Sequence, residues 1–208
     1  ILFDSKEAEI ETFKIFQKFH NATIRASSLM AKERGVYPKY SESKWAEGIL
    51  PYDLGNEILR KEFEQYLDKE ELEETRNLVK LNGVRNALIM NLPPTASSAS
   101  SKNLTESIEP IMFHSYNLQG AVSCQVLAPE LAKLRKYYMT AYDIDPKRLI
   151  KLGAIRQLFI DQSQSMNMYI DQTKWDYEYL AKLHIYAWAL GIKTFYYFFT
   201  PKNDSEES

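Results

Sequence analysis

Apolar residues recur at intervals of three and four through the first part of the chain, and this spacing predicts a largely helical opening. Ile10, Phe13, Phe16, Phe19, Thr23, Ala26 and Met30 fall along one stripe of a long helix. Asp4 and Glu7 have the spacing of a capping box at its start, and Lys32, Arg34 and Gly35 supply basic side chains and a stop at its end. Residues 37–51 read as a loop anchored by Trp45 and Leu50. Helices are expected over 54–67 and 70–81, the second opened by Asp68 with Glu71 and closed by Gly83. The period then changes. Ala87-Leu88-Ile89-Met90-Asn91-Leu92 is nearly continuous and apolar, the pattern of a strand buried on both faces in a parallel sheet. Further strands are expected over 111–116 and 193–199, with a short apolar segment at 166–170. One helix starts at Pro129 and carries Leu131, Leu134 and Tyr138. Another starts at Asp145-Pro146 and carries Leu149, Leu152 and Phe159. A last one runs over 175–190 through Tyr177, Leu180, His184 and Trp188 to Gly191. Strands alternating with helices predict an α/β fold with a partly parallel sheet behind a helical N-terminal segment.

Composition narrows the function classes. The 208 residues carry 26 basic and 28 acidic side chains, a net charge of −2, so no global positive field recruits nucleic acid or anionic membrane. With 45% apolar and 26% charged residues the composition is that of a globular chain, and its length is enough for one well-buried domain or at most two small ones. Mean hydropathy is −0.41, and no apolar run is long enough to span a membrane. The opening Ile-Leu-Phe-Asp-Ser lacks the basic–apolar–small order of a secretory signal, and a cytoplasmic location is expected. It also lacks an initiator Met, so the chain is expected to be processed or a piece of something longer. The single Cys124 excludes a disulfide or thiol pair within the chain, and His20, His114 and His184 lie on separate segments, so no metal site is expected. The 14 Tyr and 10 Phe point first to packing.

Several segments offer chemistry, each beside a plainer account. The turn Pro93-Pro94-Thr95-Ala96-Ser97-Ser98 follows the expected strand; its small side chains leave backbone N–H groups accessible and its hydroxyls add donors, a combination suited to a phosphate. A flexible Ser-rich loop has the same composition. Tyr196 and Tyr197 are adjacent on the last strand, where regular pleating sends neighbours to opposite faces. In contact, two such rings pass an electron and a proton; this needs a local distortion, and without one they are two packing aromatics. Phe159-Ile-Asp-Gln-Ser-Gln-Ser165 reads as a hydrogen-bonded corner. Glu106 and Glu109 are candidate acids or bases, or structural caps. Cys124 reads as an inert thiol and His184 as a packed histidine.

Four motifs in this order carry a resemblance: Leu92-Pro-Pro-Thr-Ala-Ser-Ser98, Glu106-Ser-Ile-Glu-Pro110, Phe159-Ile-Asp-Gln-Ser-Gln-Ser165 and Gly191-Ile-Lys-Thr-Phe-Tyr-Tyr197. Ala31-Lys-Glu-Arg-Gly35, Ala46-Glu-Gly-Ile-Leu-Pro51 and Val84-Arg-Asn86 support it. Together the chain resembles the C-terminal part of the large, catalytic (alpha) subunit of class I ribonucleotide reductase. The resemblance implies that residues 1–200 are part of a ten-stranded α/β barrel of two half-barrels, incomplete without an N-terminal portion; residues 201–208, polar and acidic, are expected from their own composition to form a flexible tail. It implies that Pro94, Thr95, Ala96, Ser97 and Ser98 hold the diphosphate of a ribonucleoside diphosphate. It also implies that Tyr196 and Tyr197 relay a radical, Tyr197 nearer the subunit boundary and Tyr196 nearer a catalytic cysteine. Implied partners are the N-terminal portion, a small (beta) subunit bearing a metal/tyrosyl-radical cofactor, and a thioredoxin- or glutaredoxin-type reductant. No cofactor is implied for this chain. The family's catalytic cysteines, its C-terminal cysteine pair and its allosteric domain have no counterpart here, so the chain alone is expected to be inactive. A non-catalytic binding or assembly module that kept the scaffold is the alternative.

Overall fold

The computed structural model describes residues 1–102, 104–118, 124–171, 173 and 176–201. A helical body dominates. Helix α1 (Lys6–Arg34) packs against α4 (Lys69–Asn82) and α7 (Pro146–Gln157), and α7 in turn packs against α8 (Tyr177–Ala189). Between α1 and α4 lie the short helices α2 (Pro51–Leu54) and α3 (Glu57–Phe63), the latter continued by a 3-10 turn at Glu64–Tyr66. The expected single helix over 54–67 is therefore broken at Gly55, where the backbone is extended and an added Cβ would lie 2.7 Å from Leu158 Cδ2.

Caps were where local sequence placed them, with two shifts. Ser5, not Asp4, caps α1 by accepting from the Ala8 N–H. Asp68 caps α4 by accepting from the Glu71 N–H, but its own N–H donates to Gln17 Oε1 of α1 at 2.9 Å, so a tertiary contact replaces the second half of the box. Gly83 stops α4 with φ +73°, and a Cβ there would come within 2.3 Å of Val36. The inward stripe of α1 also differs from expectation. Phe13, Phe16, His20, Ile24, Ser27 and Ala31 are buried, whereas Phe19 and Met30 are exposed. Polar residues face inward because they bond the backbone of neighbouring segments: Ser28 Oγ donates to the Leu78 carbonyl and Gln17 Nε2 to that of Tyr66.

The core is built on rings. Phe13 stacks on Phe63 at 5.3 Å and meets Phe159 edge-on at 4.9 Å, and Phe159 stacks on Tyr52 at 5.3 Å. At the rim of this cluster Glu9, only 2% exposed, is held by Lys6 (2.8 Å), Arg148 (3.1 Å) and Lys151 (3.2 Å), tying α1 to α7.

After α4 the chain becomes less regular: α5 (Ala96–Ser101), an antiparallel pair β1 (Ser115–Leu118) and β2 (Cys124–Leu127), α6 (Leu131–Leu134), and a parallel pair β3 (Met168–Tyr169) and β4 (Phe198–Phe199). The ten-stranded barrel implied by the resemblance is not formed by the described residues, which hold four strands in two separate sheets. Residues 87–92 are extended but not a doubly buried strand. They pair on one edge only, through Gln162 N–H to the Met90 carbonyl, Leu92 N–H to Ser163 and Ser165 N–H to Leu92, and Leu88 is 61% exposed. A strand buried on both faces needs a neighbour on each side, and among the described residues segment 161–165 supplies only one. On α8 the expected Tyr177 and Trp188 point outward, and Leu183 and Ala187 are buried instead. Trp175 and the tail 202–208 lie outside the described residues. No helix among those described is long and apolar enough to cross a membrane.

Candidate functional site

The two tyrosines touch, and the backbone shows how. Tyr196 N–H donates to the Met166 carbonyl at 2.8 Å. In regular parallel pairing the next bond would run from Met168 N–H to the Tyr196 carbonyl. It runs instead to the Tyr197 carbonyl, at 2.8 Å, after which Met168 pairs with Phe198 and Tyr169 with Phe199. Tyr196 and Tyr197 together therefore oppose the single residue Asn167: a bulge, with one residue of extra chain on the tyrosine side. The bulge cancels the alternation of faces, and the two rings meet with centroids 4.1 Å apart and planes tilted by 47°. Both remain about half exposed. The Tyr196 pKa is raised above the usual phenol value, first by a hydrogen bond with the Tyr197 side chain, with the Glu106 carboxylate adding a smaller push.

The N–H left over in the bulge is that of Tyr197, and it donates to Asn167 Oδ1 at 3.1 Å. Asn167 is itself fixed by Glu109. Its backbone N–H donates to Glu109 Oε1 at 2.6 Å and its Nδ2 to Oε2 at 2.8 Å, while the Tyr169 hydroxyl also donates to Oε2. All three residues are buried. Burial and the adjacent Glu109 charge push the Tyr169 phenol pKa up. The Arg156 guanidinium, also buried, has its pKa lowered to about 10 by desolvation, with the Glu109 charge opposing. Asn167 stood in an apolar run, Met166-Asn-Met168, and a polar residue there signals a buried hydrogen bond; its role at the tyrosines needed the bulge to be seen.

The Thr95–Ser98 turn lies at the start of α5. Ala96, Ser97 and Ser98 are exposed, and their N–H groups belong to the first turn of a helix, which has no carbonyl one turn back to receive them. Thr95 is used structurally: its Oγ1 accepts from Ser107 N–H at 2.7 Å, and its carbonyl receives the Ala99 N–H at 2.8 Å. Pro94 is exposed just before it. A cavity of about 340 Å³ lies beside the turn, bordered by Ala96 and Ala99 of α5, Glu106, Tyr169 and Phe199.

The corner 159–165 is the hub that holds these pieces together. The Asp161 carboxylate accepts from Ile89 N–H (2.7 Å) and Met90 N–H (2.9 Å), fixing the extended segment that leads into Pro93. Lys193 Nζ donates to the carbonyls of Asp161 and Gln162, fixing the segment that leads into Tyr196. Arg156 Nε donates to Gln164 Oε1, and Gln164 Nε2 to the Gly153 carbonyl, anchoring the corner to α7. His184 stacks on Phe198 at 5.4 Å and is not near another metal-type donor set; no group of three such donors occurs among the described residues. Cys124 lies on β2.

A family model described as the ribonucleotide reductase barrel domain matches residues 1–121 and 116–198. The chain belongs to the ribonucleotide reductase family. It is 35% identical to the ribonucleoside-diphosphate reductase subunit alpha of Helicobacter pylori (strain J99), over 95% of this chain and 26% of that protein. It is 31% identical to the ribonucleoside-diphosphate reductase large subunit of Monkeypox virus, over 96% of this chain and 29% of that protein. The Chlamydia trachomatis subunit alpha is 33% identical over 84% of this chain and 20% of its own length. The chain thus spans about a quarter of the length of the curated reductase subunits it matches.

Proposed function

We propose that this chain is the C-terminal portion of a class I ribonucleotide reductase large subunit, supplying a tyrosine relay and a substrate-phosphate turn to a larger active site. The contact between the Tyr196 and Tyr197 rings, made by a bulge that a packing role does not require, is the observation that carries this reading. Each relay step is a hydrogen-atom exchange: a Tyr197 phenoxyl radical takes one electron and one proton from Tyr196, leaving Tyr197 as a phenol and Tyr196 as the phenoxyl radical. Ring contact shortens the electron's path. The Ala96, Ser97 and Ser98 amides, with the exposed hydroxyls, would bind the diphosphate of a ribonucleoside diphosphate.

The complete reaction replaces the ribose 2′-hydroxyl by hydrogen. It releases water and consumes two electrons from a dithiol, which becomes a disulfide. With one cysteine in 208 residues, this chain cannot hold that dithiol, and alone it would not turn over. The thiols would come from the N-terminal portion of the subunit, and the initiating radical from a small subunit carrying its metal/tyrosyl cofactor. A thioredoxin- or glutaredoxin-type protein would restore the dithiol.

The test is reconstitution of the chain with the N-terminal portion and the small subunit, followed by deoxynucleotide formation. Activity that is abolished in both Tyr196→Phe and Tyr197→Phe supports the relay. Assembly with nucleotide binding but without turnover would instead favour a binding or assembly module.

A further inference from the structure

The Tyr196–Tyr197 contact depends on an extra residue in β pairing, and an unpaired bulge N–H normally turns to solvent or collapses back into register. Here it does neither. We propose that Asn167, oriented by the buried carboxylate of Glu109, is the positioning residue that holds the bulge open and keeps the two rings in contact. The inference rests on the relay reading for its functional meaning, though not for its geometry.

Three observations carry it. Asn167 is the residue that the two tyrosines oppose, and its Oδ1 accepts the one N–H that the bulge leaves without a partner strand. Its amide has a fixed orientation, because Nδ2 donates to Glu109 Oε2 and so only Oδ1 can face Tyr197. Glu109 must be an acceptor at both oxygens: Asn167 N–H reaches Oε1, and Asn167 Nδ2 and the Tyr169 hydroxyl reach Oε2. An amide cannot replace it. Glutamine would place an NH2 group against the Asn167 backbone N–H in one orientation. In the other it would place that group against Asn167 Nδ2, turning the Asn167 amide so that a donor faces the Tyr197 N–H. The second orientation removes the bond that satisfies the bulge, and the first leaves the buried Asn167 backbone N–H without its acceptor, so that Asn167 is no longer held opposite the tyrosines. In both cases the strand gains by slipping into regular pairing, which sends the two rings to opposite faces.

The first measurement needs no variant. In the isotopically labelled chain, a scalar coupling across the hydrogen bond between Tyr197 N–H and the Asn167 side-chain carbonyl is expected; its absence overturns the proposal. Next, Glu109→Gln and Asn167→Leu are compared with wild type for ring-to-ring nuclear Overhauser effects between tyrosines 196 and 197. Loss of these in a folded variant is expected, whereas Tyr169→Phe, which leaves both Asn167 bonds to Glu109 in place, should retain them. Persistence of the ring contact in folded Glu109→Gln or Asn167→Leu overturns the proposal. Should both variants fail to fold, the wild-type coupling decides. In the assembled reductase the same two variants should lower kcat about tenfold to a hundredfold, with KM for the nucleoside diphosphate unchanged. A raised KM at constant kcat would assign the pair to the phosphate turn instead and overturn its role at the tyrosines. If Tyr196→Phe and Tyr197→Phe keep full turnover, the relay reading fails by itself, and the coupling and ring-contact measurements still judge the geometry.

Discussion

His20 is 1% exposed on the inner face of α1, with Nδ1 against Asn21 Oδ1 and its ring edge-on to Phe159. Burial lowers its pKa from the ordinary 6.5 to about 4. The unfolded chain therefore takes up a proton near pH 6.5 that the folded chain refuses until about pH 4. Stability is unaffected by this group above pH 6.5 and falls as the pH drops through that window, by at most about 3 kcal/mol. Denaturant titrations of wild type and His20→Gln, compared between pH 7 and pH 4, should show a steeper loss in the wild type. Parallel curves would mean that His20 is not held neutral.

At the scale of elements, the joint between α1 and α7 is ionic where it leaves the aromatic core. Glu9→Gln leaves Arg148 facing a neutral amide while Lys6 and Lys151 keep their pairs with Glu62, and an unfolding free energy lower by about 2 kcal/mol is expected. Lys39→Met, which breaks an exposed pair with Glu42, should cost less than about 1 kcal/mol; equal losses would refute the ranking. Elements governed by their own residues were legible in the sequence. Helix α4 with Asp68 and Gly83, and α7 with Asp145-Pro146, fall where capping chemistry put them. Features governed by partners were not. Phe19 and Met30 have the spacing of a buried stripe but stay exposed among the described residues, and 87–92 has the composition of a central strand with one paired edge among them. The tyrosine pair was visible as a pair of residues. Its contact was not, because pleating predicts opposite faces and the bulge arises from Asn167, thirty positions away in the chain.

Across the whole molecule, burial is uneven. The helices α1, α4 and α7 enclose most of the core, whereas the buried residues described within 86–118 and 124–138 are Ala99, Glu109, Pro110 and Ile111. Amide hydrogen exchange should divide accordingly: α1, α4 and α7 protected together to the limit of global unfolding, and the amides of 96–102 and 104–118 exchanging about a hundredfold faster or more. Uniform protection would show that the Thr95–Ser98 turn shares the stability of the helical body. The bulge has a consequence of a different kind, for chain length. A version of this chain with either tyrosine deleted would pair β3 and β4 without interruption, keep Phe198 and Phe199 opposite Met168 and Tyr169, and fold at least as readily. It would present one ring where two now touch. The reading frame of the strand, counted one residue at a time, therefore sets the Tyr196–Tyr197 contact, and tests of folding alone would score its loss as an improvement.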